Sequence, residues 1–144
     1  MNIDVTKYLS IPYLHEGRDM NGLDCYGLVI MFYADNFGIT LPDYAYCQNW
    51  DTEGLNYIQE EYWKRFEKID APVKHGVVTF RMFGSPIERH IGIMLDDISF
   101  LHVALNDRVC VEKITHRVWS RQIGSFYKLK EDYVHTINHT QVAD

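Results

Sequence analysis

The sequence predicts an α+β fold, with helices first and an antiparallel sheet after them. Leu28, Val29, Phe32 and Tyr33 recur at helical spacing in the first part of the chain. After Pro72 the apolar period shortens to that of strands. The length of 144 residues is room for one domain, and no linker divides it. A single domain over residues 1–144 is therefore expected, with its core over residues 11–129 and a loose polar tail from Tyr133.

The elements follow in order. Asp4 to Leu9 reads as a short helix that Ile11-Pro12 ends, and His15 to Leu23 reads as loop. A helix begins at Cys25, with Asp24 as its N-cap and Gly38 as its stop. Residues 39–52 read as loop, rich in aromatics from Tyr44 to Trp50. A second helix is expected over 53–67, with Leu55, Ile58, Tyr62 and Phe66 on one face. Strands are expected over 76–81, 90–95, 100–104, 109–114 and 125–129, about five in all, with a short helix over 116–121.

Composition limits the function. Apolar residues make up 47% of the chain and aromatics 14%, so disorder is excluded as the main state. A formal net charge of −6 argues against nucleic acid as the main partner. No apolar run is long enough for a membrane span. The N-terminus lacks the pattern of a signal peptide, so work in a cytoplasm, or exit by lysis or inside a particle, is expected. The cysteines, Cys25, Cys47 and Cys110, are odd in number and widely spaced, which argues against a disulfide framework and a zinc motif.

Cys25 stands where a helix begins. The helix dipole and a nearby imidazolium would both favour its thiolate, and main-chain N–H groups there could face an oxyanion. Its alternative role is a small buried apolar residue. Cys110 alternates within Val109-Cys110-Val111 and reads as structural.

His90 and His102 each stand on a predicted strand of one hairpin. With a strict two-residue turn at Asp96-Asp97 they would face opposite sides of the sheet. With an odd loop or a bulge His90 can oppose His102 on one face. One imidazole could then exchange a proton with a thiol while the second polar group holds its tautomer. Otherwise they are two unrelated histidines on a half-exposed hairpin.

The segment Pro12-Tyr13-Leu14-His15-Glu16-Gly17-Arg18-Asp19, followed by Gly22-Leu23-Asp24-Cys25-Tyr26-Gly27-Leu28-Val29, resembles the NlpC/P60 family of cysteine peptidases, and more closely its phage-tail branch. Lys74-His75-Gly76-Val77-Val78-Thr79-Phe80, His90-Ile91-Gly92-Ile93-Met94-Leu95 and Phe100-Leu101-His102 resemble the later strands of that family. The resemblance runs from Ile11 to Leu129. It implies a papain-like fold, a nucleophile helix packed on an antiparallel sheet. It implies Cys25 as nucleophile, His90 as general base and His102 as orienting group. Tyr13, Asp24 and Tyr26 would shape the substrate side. The implied activity is cleavage of peptide bonds in peptidoglycan stem peptides, with no cofactor and no metal.

Two residues depart from the family pattern. Tyr26 stands where Ser is common, which narrows the pocket, and Gly76-Val77 replaces a common Gly-Asp. The expected setting is a phage virion tail, reached after synthesis in the host cytoplasm, with other tail proteins as partners. The competing expectations are a structural tail protein with little or no catalysis, and a thiol amidase or acyltransferase.

Overall fold

Asp24 and Gly38 bound the central helix as their chemistry requires. In the computed structural model, which describes residues 3–41, 43, 65–82 and 88–130, α1 spans Cys25–Phe37. The Asp24 carboxylate accepts the Gly27 N–H at 2.7 Å, which satisfies one of the unpaired donors of the first turn. Gly38 adopts the left-handed conformation, φ 66°, and its N–H returns to the Ala34 carbonyl.

A small hairpin precedes α1: β1 (Arg18–Asp19) pairs antiparallel with β2 (Gly22–Leu23) inside the stretch expected to be loop. The expected helix over Asp4–Leu9 is instead a run of tight turns, with Tyr8 N–H on the Val5 carbonyl and Leu9 N–H on the Thr6 carbonyl. The Asp4 carboxylate accepts from both the Thr6 N–H and its hydroxyl, a local turn that competes with helical bonding.

The main sheet is fully antiparallel. Its strands are β3 (Phe66–Ile69), β4 (Val77–Phe80), β5 (His90–Met94), β6 (Ser99–His102), β7 (Cys110–Lys113) and β8 (Ile123–Leu129). They lie in the order β3-β8-β4-β5-β6-β7. A one-turn helix, α2 (Arg117–Ser120), connects β7 to β8. Six strands stand where about five were expected, because residues 66–69 extend the sheet. Phe66 was expected on a helix. It pairs instead with Leu129 and packs edge-on against Tyr33. Sheet bonding and burial of that ring outweigh its helical spacing. The rest of the expected second helix, residues 53–64, lies outside the described residues, as do the tail from Tyr133 and the aromatics from Tyr44 to Trp50.

The sheet has two packed faces. Val77, Ile91, Ile93 and Leu101 form one core with Leu28, Val29 and Phe32 of α1. Val78, Phe80, Met94 and Phe100 form a second with Trp119 of α2. Tyr33 ties α1 to the segment before β4 through a hydrogen bond to the His75 carbonyl. Among the described residues no helix is long and apolar enough to cross a membrane.

Candidate active site

The cysteine end of the site is built from main chain and one carboxylate. Asp24 is 2% exposed and both its oxygens are engaged. One takes Gly27 N–H and the Arg18 guanidinium at 2.9 Å; the other takes Glu16 N–H at 2.9 Å. Arg18 also bonds Asp43 and lies over the Tyr26 ring, 5.9 Å from its centroid. Gly27 must lack a side chain, since a Cβ there would meet the Gly17 carbonyl oxygen at 2.1 Å. The approach loop is thereby locked onto the first turn of α1. Tyr13 is bridged to Leu23, two residues before Cys25, and is partly buried against the core.

Cys25 is partly exposed and carries no disulfide. Its thiol is pushed up, above the ordinary cysteine range, by burial first and by the negative Asp24 second. Main-chain hydrogen bonds at Ile91 and Tyr26, and the charge of Arg18, pull the other way without prevailing. Burial and the Asp24 charge both act against the expected thiolate. The carboxylate that caps the helix opposes charge on the adjacent sulfur. The contact with Ile91 places the thiol at the start of β5, one residue from His90. No hydrogen bond joins Cys25 to His90 among the described residues.

The histidines meet through strand register. Ile93 pairs with Leu101 and Met94 with Phe100, and Leu95 N–H bonds the Ser99 carbonyl, leaving the odd loop Asp96-Asp97-Ile98. Asp96 closes it by accepting from the N–H groups of Ile98 and Ser99. The odd loop puts both histidines on one face, as the pairing idea required. They are diagonal rather than opposed, for the register sets His102 across from Gly92. A Cβ on Gly92 would meet Phe100 at 2.9 Å and His102 Cβ at 3.4 Å. Gly92 therefore leaves His102 the room to lean along the strand, and His90 Nε2 lies 2.8 Å from His102 Nδ1.

The pair is enclosed. His90 is 6% exposed and His102 2%. Trp119 stacks on His90 at 5.8 Å and meets His102 edge-on at 4.8 Å, while Phe80 and Phe100 close the sides. Burial, and then the neighbouring His102, hold His90 well below its usual range, so the ring is neutral. Burial also lowers His102, against the attraction of Glu112.

Glu112 was not anticipated from the sequence. Its carboxylate lies 2.9 Å from His102 Nε2. A carboxylate only accepts, so Nε2 carries the proton and Nδ1 of a neutral His102 must accept. His90 Nε2–H then donates to that Nδ1, and His90 Nδ1 is left with its lone pair. One carboxylate thus sets the tautomers of both rings. Cys110, expected to be merely structural, places its sulfur 3.6 Å from the same Nε2. Glu112 could have been found by pairing β6 with β7, since it stands two residues after Cys110. Trp119 lay within the expected short helix, but nothing in its spacing pointed to the histidines.

The class is thus an α+β domain in which a helix opening on a cysteine packs on an antiparallel sheet that carries a buried histidine pair. The NlpC/P60 family model matches residues 10–127, and the chain belongs to that family. It is 24% identical over 115 residues to a "Probable endopeptidase" of Haemophilus influenzae, covering 80% of this chain and 64% of the relative. It is 26% identical over 95 residues to "Tail tip assembly protein K" of Escherichia phage N15, covering 64% and 39%. The chain thus spans less than two thirds of the length of either relative. Among solved structures, an NLP/P60-family lipoprotein-like protein of Staphylococcus aureus superposes with a TM-score of 0.64 at 19% identity, covering 90% of this chain and 43% of that one. The NlpC/p60 domain of the peptidoglycan hydrolase SagA gives 0.59 at 15% identity, covering 85% and 90%.

Proposed function

We propose that this chain is a peptidoglycan endopeptidase of the phage-tail type, with Cys25 as nucleophile, His90 as general base and His102 as the group that orients it. The observation that carries the reading is the buried His90–His102 hydrogen bond at the start of the strand whose Ile91 main chain meets the Cys25 thiol. Glu112 supports the roles by leaving the His90 Nδ1 lone pair as the base. With the Cys25 thiol pushed up and the His90 imidazole held down, the thiolate forms as Cys25 attacks and its proton passes to His90. That proton then goes to the leaving amine, and a water activated by His90 releases the acyl group. The Cys25 main-chain N–H at the start of α1 is the donor for the oxyanion, the Gly27 and Leu28 N–H groups being held by Asp24.

Tyr13 and Tyr26 flank the stem peptide on the substrate side. Asp24 serves that side by position, holding Arg18 and the approach loop rather than touching substrate. The tail placement, in a virion after synthesis in the host cytoplasm and among other tail proteins, is supported by the likeness to the N15 tail tip assembly protein.

Digestion of purified peptidoglycan by the wild type beside Cys25→Ala, read by mass spectrometry, tests this reading. New fragments from the wild type alone are expected, and their masses name the bond. Fragments showing transfer to a non-water acceptor would mark an acyltransferase instead. A second reading, a tail component with little catalysis, is favoured by the raised Cys25 thiol and its lack of a bond to His90. Folded wild-type protein that releases nothing would shift weight to it, or to an enzyme that is active only inside its assembly.

A further inference from the structure

Strand register brings three metal-ligating side chains together behind the histidine pair. His102 of β6 is directly opposite Cys110 of β7, and Glu112 stands two residues along on the same face as Cys110. One ligand atom from each, His102 Nε2, Cys110 Sγ and a Glu112 carboxylate oxygen, lies within 4.8 Å of the others. Nitrogen and sulfur ligands around tetrahedral zinc stand about 3.6 Å apart, and nitrogen and oxygen about 3.3 Å, for ordinary bond lengths. Here the separations are 3.6 Å and 2.9 Å. Cys110 is partly exposed and the Glu112 side chain is 35% exposed, so the cluster opens to water, which would fill the fourth position. The nitrogen, thiolate and carboxylate donors suit zinc rather than calcium or magnesium.

We propose that His102, Cys110 and Glu112 form a binding site for one zinc-class divalent cation, and that the cation switches the histidine pair off. Cys110 releases its proton to solvent on binding. The metal displaces the His102 Nε2 proton to solvent; the His90 Nε2 proton passes to His102 Nδ1, which donates it back in the same hydrogen bond, and His90 Nδ1 takes up a proton from solvent. The His90 proton is then on Nδ1, where the lone pair had served as base. Both rings stay neutral, and the relay points the wrong way. The site itself stands on register and distances; its effect on catalysis rests on the function proposed above.

The test uses the full chain with Cys25→Ala and Cys47→Ala, which leaves Cys110 as its single thiol. Cobalt(II) titration is expected to give one equivalent of thiolate-to-cobalt charge-transfer absorption with tetrahedral visible bands, displaced by zinc. Adding Cys110→Ala should abolish the charge-transfer band, and Glu112→Gln should weaken affinity about tenfold or more. If Cys110→Ala misfolds by circular dichroism, Cys110→Ser replaces it with the same expectation. A missing band, or one that survives loss of Cys110, overturns the site. Nitrogen-15 spectra of the imidazoles read the switch without any activity. Zinc should turn His90 Nε2 from a protonated to an unprotonated nitrogen. An unchanged His90 under saturating zinc overturns the switch, whatever the protein does to peptidoglycan.

Discussion

The two ends of the active site are held in different ways. At the cysteine end a charged network fixes the main chain: Asp24 binds Gly27, Glu16 and Arg18, and Arg18 reaches on to Asp43. At the histidine end the holding is done by register and by aromatic walls, with one carboxylate at the far margin. The difference matches what each residue must do in the proposed roles. A nucleophile must be aimed, and a capped helix turn aims it rigidly. A base must keep one tautomer, and a buried chain of single donors and acceptors fixes that.

The largest expected effect removes chemistry from either end while leaving the other intact. Cys25→Ala and His90→Ala should each lower peptidoglycan cleavage by about 10⁴-fold or more, with unchanged circular dichroism. Retained activity in either variant would break the assignment of roles.

Next comes the charge state of the thiol. With its pKa raised, Cys25 is protonated through neutral pH, so its thiolate fraction climbs about tenfold per pH unit and its alkylation rate with it. From pH 6 to 9 the rise is about 10³-fold by that proportion. A rate that is flat over this range would show a preformed thiolate and return the site to the ion-pair type.

A smaller effect is expected at the margin of the histidine end. Glu112→Ala should lower kcat by about 10- to 100-fold with little change in KM, because the tautomers are no longer set. Glu112→Gln should recover most of this, since an amide oxygen still accepts from His102 Nε2. Equal losses in the two variants would mean that charge, rather than proton direction, is what Glu112 contributes.

The mildest change falls on stability. Gly92→Ala should cost about 1–3 kcal/mol in denaturant unfolding, because the added methyl crowds Phe100 and His102. Its activity should fall further than its stability, as His102 is displaced from His90.

These contrasts also mark what the sequence disclosed. The central helix was legible through Asp24 and Gly38, whose roles depend only on neighbours along the chain. The odd hairpin loop was legible as a condition, because faces alternate strictly along a strand. The diagonal offset of the histidines was not, for it depends on where Asp96 closes the turn. Glu112 and Trp119 come to the site from β7 and α2, and only the sheet register and the second core place them there. The sign of the Cys25 shift also escaped, since it is set by the depth of the thiol and by the use of Asp24 as cap. Phe66 shows the opposite error, a local helical period overruled by a partner strand far along the chain.

The segment from Ser10 to Tyr13 bonds along Asp107 to Val109: Ser10 N–H to the Val109 carbonyl, Val109 N–H to the Ile11 carbonyl, and Tyr13 N–H to the Asp107 carbonyl. A ribosome must therefore deliver nearly the whole domain before its opening residues find their partners. Such long-range closure carries a large entropic cost that local contacts cannot offset early, and it slows folding. A nascent chain that has exposed Cys25 still lacks both histidines. The acyl-transfer chemistry proposed for it would thus be withheld by topology until synthesis has passed β7.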